Sequence, residues 1–107
     1  MSTIPSIREV GELLVLLREG LPTRAVAYMG GDLAVCDCAD GNPGRPTRPI
    51  AWIADTGPAR ELLNNAYQAD VDSDATAWAA LPLRYGPHCS TWVLSEHPEA
   101  PTKPGAD

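Results

Sequence analysis

Cys36 and Cys38 stand one residue apart in the segment AVCDCADGNPG (34–44), and with Cys89 and either His88 or His97 they supply the ligand types of a zinc site. The spacing argues against it. In a tetrahedral site with Zn–S near ~2.3 Å, neighbouring sulfurs lie roughly 3.8 Å apart. Residues two apart on a strand have parallel side chains on Cα atoms about 6.6 Å apart. His88 and Cys89 are adjacent, so on a strand they point to opposite faces. A zinc site at Cys36, Cys38, Cys89 and His88 therefore requires the strand to end near Val35 and the chain to curl. The competing reading makes Cys36 and Cys38 small buried thiols, a common environment for cysteine. A disulfide between them would be strained.

Other residue groups also suggest chemistry. Asp55-Thr56-Gly57 resembles the active-site triplet of aspartic proteases, and that resemblance implies a hydrolase using Asp55. Pro58 and a strong helical pattern follow the triplet, and the same residues suit a helix start. Asp70, Asp72 and Asp74 resemble the start of an EF-hand calcium loop, but Ala75 stands where glycine is needed and Leu81 where a bidentate glutamate is needed. Cys89 with His88 or His97 has the types of a nucleophile and base, without an orienting third residue. None of these builds a catalytic constellation, so the chain reads as a non-enzyme with no cofactor.

Composition narrows the partners. The 107 residues carry 14 acidic against 8 basic side chains, a net charge of −6, which disfavours nucleic acid and anionic membranes. The longest apolar run, Leu13 to Leu17, is far short of the ~20 residues of a membrane span. The amino-terminal stretch is interrupted by Arg8, Glu9 and Glu12 and does not read as a secretory signal, and with an odd number of cysteines this points to a reducing, cytoplasmic setting. Phe is absent and Lys103 is the sole lysine, within a Gly-, Ala-, Arg- and Pro-rich composition of the kind found in high-GC bacteria and their phages.

The elements that must position these residues are legible from pattern. Ser6 and Glu9 form a capping box for a first helix with Ile7, Val10, Leu14 and Leu17 at helical spacing, stopped by Gly20 and Pro22. Leu13, Val15 and Leu16 widen its stripe, so it is buried on more than one side or meets a partner, including a second copy of the chain. A β-hairpin around Gly30-Gly31 pairs Met29 with Asp32, Tyr28 with Leu33, Val26 with Val35 and Arg24 with Asp37. One face then carries Val26, Tyr28, Leu33 and Val35, the other Ala25, Ala27, Ala34, Cys36 and Cys38, a surface suited to a close helix. Residues 39–49 read as a projecting loop with Arg45 and Arg48, and 50–54 as a short strand. A second helix follows Pro58 with Leu62, Leu63, Ala66 and Tyr67 on one face. Asp72 or Ser73 caps a third helix running through Trp78 to Leu81. A last strand covers 90–94, and 96–107 is expected as a flexible tail after a single globular domain, 1–95.

These readings predict an α+β domain, a small mainly antiparallel sheet packed by about three helices. The expected role is a small acidic module that binds another protein to inhibit or regulate it, as accessory proteins of phages and mobile elements do. Arg45 and Arg48 in the loop, with Leu13 and Leu16 on the first helix, are the expected contact residues. A zinc-binding module is the alternative.

Overall fold

The computed structural model describes residues 4–86 and 90–105. The elements are β1 (Ser6–Ile7), α1 (Val10–Glu19), β2 (Arg24–Met29), β3 (Asp32–Cys38), a 3₁₀ turn (Ala39–Gly41), β4 (Pro46–Ile53), α2 (Pro58–Val71), α3 (Ala75–Ala80), β5 (Leu83–Tyr85) and β6 (Thr91–Leu94). Among the described residues the strands form one six-stranded sheet in the order β1-β4-β3-β2-β6-β5, in which β1 and β4 run parallel and the other neighbours antiparallel. The fold is therefore α+β, as the sequence predicts.

The central hairpin has the predicted register, from Arg24 opposite Asp37 to Met29 opposite Asp32. Strand alternation sends Val26, Leu33 and Val35 to one face, where Leu13 and Leu17 of α1 and Leu62, Leu63 and Ala66 of α2 close the main core. The opposite face carries Ala25, Ala27, Ala34, Cys36 and Cys38, all buried. Its cover differs from the expected helix. The fully buried Pro43 comes from the loop before β4, Trp52 packs on Ala27, Ala34 and Cys36, and Ala100 packs on Ala25, Cys38 and Val93. Small side chains here admit irregular backbone, whose polar groups can bond within the loop while a helix serves the bulkier face.

Three boundaries depart from the pattern. Ser6 does not cap α1: it pairs with Trp52 in β1, while Ile7 buries against Ile53, and Glu9 takes the cap position in extended conformation. The supposed 39–49 loop becomes strand from Pro46 onward, so Arg48 lies in β4 opposite Asp37. Pro46 and Pro49 fit there because the β3–β4 ladder shifts register between Val35 and Cys36 and again between Asp37 and Cys38. Bulges tolerate residues that cannot donate an N–H. Third, Asp74 caps α3, its carboxylate accepting from the Ala77 N–H at 3.1 Å.

The described part of the segment after β6, expected as a flexible tail, makes contacts with the body. His97 is 4% exposed, its Nδ1 accepts from the Glu99 N–H at 2.9 Å, and the Gly105 N–H donates to Asp70. Burial holds the imidazole below the ordinary histidine value of 6.5, opposed by a backbone bond at Pro22 and by Glu99. The unfolded chain therefore takes up the proton first as pH falls, and the stability this histidine contributes is lost below about pH 6.5. His97→Gln should flatten the acid limb of a plot of urea midpoint against pH, and an unchanged slope would assign it elsewhere.

Arg24 links α1 to the sheet. Its guanidinium donates to the Leu16 carbonyl at 2.6 Å and pairs with Asp37 at 3.5 Å. Gly20 leaves room for that side chain, since a Cβ on it would sit 2.3 Å from Arg24 Cδ. Gly20→Ala should therefore cost about 1–3 kcal/mol in urea unfolding. Gly30→Asn should change stability by no more than ~0.5 kcal/mol: φ is +64°, which Asn tolerates, and nothing lies within 4 Å of an added Cβ.

Candidate functional site

Among the described residues, those singled out by sequence do not assemble into a single site. Cys36 and Cys38 are free thiols on the small face, but they serve separate contacts, Cys36 with Ala27 and Ala34, Cys38 with Ala25 and Val93. The Cys36 thiol donates to the Ala34 carbonyl at 3.4 Å and the Cys38 thiol to the Cys36 carbonyl at 3.8 Å. Burial pushes Cys36 up to about 11, reinforced by Cys38 and Asp37 against a backbone bond at Ala27. Burial likewise raises Cys38, with Asp37 adding to it. Metal binding needs thiolates. His88 and Cys89 lie outside the described residues, and among the described residues no cluster of metal-ligating side chains occurs.

Asp55 is 91% exposed at its side chain and pairs with Arg60 at 3.2 Å. The neighbouring Thr56 hydroxyl accepts from Arg8, and Gly57 takes a positive φ ahead of Pro58. This is a helix entry in which the carboxylate already has a cationic partner. Asp70, Asp72 and Asp74 diverge to Gly105, Gln68 and Ala77.

Arg48 is drawn onto Asp37 at 3.0 Å, whereas Arg45 is exposed before β4 with no side-chain partner among the described residues. Leu13 is fully buried and Leu16 packs against the main core, so the wide stripe of α1 is largely internal. Leu13 is enclosed and cannot be a contact residue as expected. Val15, 55% exposed, is the apolar side chain that α1 turns outward.

A different constellation emerges at the β5 side of the helix-covered face. Tyr85 and Trp92 are cross-strand partners, with ring centroids 4.9 Å apart at 68°. Tyr67 on α2 meets Tyr85 edge to face at 4.8 Å. The Trp92 indole N–H donates to the Leu63 carbonyl at 2.9 Å, one helical turn before Tyr67, and this fixes α2 against the sheet. The Tyr85 hydroxyl accepts from the Ser90 N–H at 2.8 Å. With Tyr28 at the end of β2 and Asn64, these groups line a cleft of about 220 Å³. Tyr28 and Tyr67 remain 50% and 41% exposed.

All three tyrosines of a chain without phenylalanine thus converge on one cleft. A second hollow of about 270 Å³ adjoins it, sharing Tyr28 and Ser90 and otherwise walled by Ala27, Thr91 and the Pro43–Pro46 turn. Arg45 belongs to that turn. Trp92 is buried as core, while Trp52 and Trp78 are half-buried, and Trp78 lies under the Arg84 guanidinium at 4.1 Å. Sequence reasoning placed Tyr28 and Tyr67 on apolar faces and left Tyr85 in a connection. The signal that marks them is the choice of tyrosine wherever Phe would pack equally well.

The thiol environment has a direct consequence. In a Cys89→Ser variant, Cys36 and Cys38 should resist iodoacetamide at pH 8 and react fully in urea. Their folded-state values are raised, so the stability they contribute is present below pH 9 and, for Cys36, is lost as pH rises from 9.0 toward about 11. Rapid native alkylation, or an equivalent of zinc in the purified wild-type protein, would contradict this placement. No family model matches the chain, and no curated protein or solved structure matches it either.

Proposed function

We propose that the protein is a non-enzymatic binding module that docks a partner protein through the tyrosine-lined cleft and regulates or inhibits it by occupancy. One observation carries this reading: Tyr28, Tyr67 and Tyr85 gather around Trp92 at a single opening, with two of the rings half in solvent. Tyrosine suits such a place because its ring supplies contact area with little rotamer entropy and its hydroxyl stays wet. The rings are already held by strand pairing, edge-to-face packing and the Trp92 bond, so little ordering is needed on association.

Arg45 extends the surface with positive charge beside the adjoining hollow, on a chain whose net charge is −6. The free, protonated thiols suit a reducing cytoplasm, and among the described residues no helix is long and apolar enough to cross a membrane.

The test compares three baits in lysate of the source cells: wild type, Tyr28→Ser/Tyr67→Ser and Arg45→Ala/Arg48→Ala. A prey held by wild type should be lost from the tyrosine variant. With that prey purified, Kd should rise roughly 30- to 1000-fold, since removing two aromatic anchors costs about 1–2 kcal/mol each. Unaltered circular dichroism of the variant would show that folding is intact. A prey retained by the tyrosine variant and lost from the arginine variant would move the contact to the β4 turn and overturn the cleft reading.

A further inference from the structure

We infer that the cleft receives an alkylated ammonium group, the head of a methylated lysine side chain on the partner. This rests on the docking reading above and assigns its ligand chemistry. Among the described residues the lining consists of Tyr28, Tyr67, Tyr85 and Trp92 with Asn64 and Ser90, so four of these six are aromatic and none is charged. A cation over the face of a tyrosine or tryptophan ring is attracted by the ring quadrupole, most strongly where water is excluded.

The rings suit that geometry. Tyr85 is perpendicular to Tyr67 and at 68° to Trp92, with centroids 4.8 and 4.9 Å apart in edge contact, so the three rings make one connected, angled wall of the lining. Strand alternation sends Arg84 to the face opposite Tyr85, onto Trp78, which keeps its positive charge out of the lining. The chain as a whole is negative by six charges and attracts cations.

The missing carboxylate selects the degree of alkylation. A primary ammonium has three N–H donors that must leave water, and among the described residues the lining offers amide and hydroxyl oxygens but no carboxylate to accept them. A trimethylammonium has no N–H to satisfy and presents methyl groups that fit against ring faces. An arginine side chain carries five donors and is disfavoured on the same ground. The opening of about 220 Å³ accommodates one such head group.

Proton NMR titration of the full chain tests this with choline, with 3,3-dimethylbutan-1-ol, its uncharged isostere, and with a Gly-Ser peptide bearing one trimethyl-lysine, alongside its unmodified twin. Choline should bind roughly tenfold more tightly than the isostere. Its methyl signal should move upfield, and the modified peptide should exceed the unmodified one by a similar factor. Tyr67→Leu should abolish the difference, and Tyr67→Phe, which keeps the ring, should preserve it and show that folding is not the cause.

Equal affinity for choline and the isostere would overturn the inference and leave a merely apolar pocket. So would a proline-rich peptide that binds more tightly than the trimethyl-lysine peptide. Choline binding without peptide binding would sustain the ammonium chemistry and overturn a protein side chain as its source. If no ammonium compound binds while the Tyr28→Ser/Tyr67→Ser bait still loses its prey, the ligand assignment falls and the docking site stands. If that prey is also retained, both fall.

Discussion

The bond from the Trp92 indole N–H to the Leu63 carbonyl sets the spacing on which the rest of the cleft depends. It joins the middle of α2 to the sheet inside a core that excludes water, where an unpaired indole would cost about 1–3 kcal/mol. Trp92 also sits in a continuous transverse row: Tyr85, Trp92, Val26, Val35 and Ala51 are successive cross-strand partners over five strands. One helical turn beyond Leu63, Tyr67 is brought onto Tyr85. The core and the candidate binding surface are thus built from the same contacts, and the aromatic residues at the row's end are presented on a rigid base.

The two sides of the hairpin divide the work. Bulky residues on one side fill the space under α1 and α2, while alanines and cysteines on the other let Pro43, Trp52 and Ala100 approach closely. Cys36 and Cys38 belong to this second side. Their chemistry is suppressed by the burial that makes them useful for packing, because a thiol pushed up by burial, Cys36 to about 11, is neither a ready ligand nor a ready nucleophile.

Local signals carried much of the architecture. Gly30-Gly31 and the alternation around it fixed the hairpin register to the residue, and the Pro58 start with Leu62, Leu63 and Ala66 marked α2. Elements defined by distant partners were less visible. Ser6-Ile7 looks like a helix entry until β4 is available to pair with it, and Pro46 and Pro49 look incompatible with a strand until the register shifts of β3 accommodate them. The cleft was hidden for the same reason. Tyr28, Tyr67 and Tyr85 are far apart in sequence, each fits its own local pattern, and the packing of α2 on β5 and β6 brings them together. Arg48 shows the converse: an apparently free charge on a loop became half of a cross-strand pair with Asp37.

The central claim is that recognition occurs where the three tyrosine rings meet. The most direct measurement is NMR of protein labelled with ¹³C at the tyrosine rings and ¹⁵N at the tryptophan indoles, titrated with the purified partner. All three tyrosine signals and the Trp92 indole should shift together and saturate at one equivalent, while the Trp52 indole stays in place. Shifts confined to Trp52, or tyrosine rings that remain unperturbed at saturation, would contradict the account.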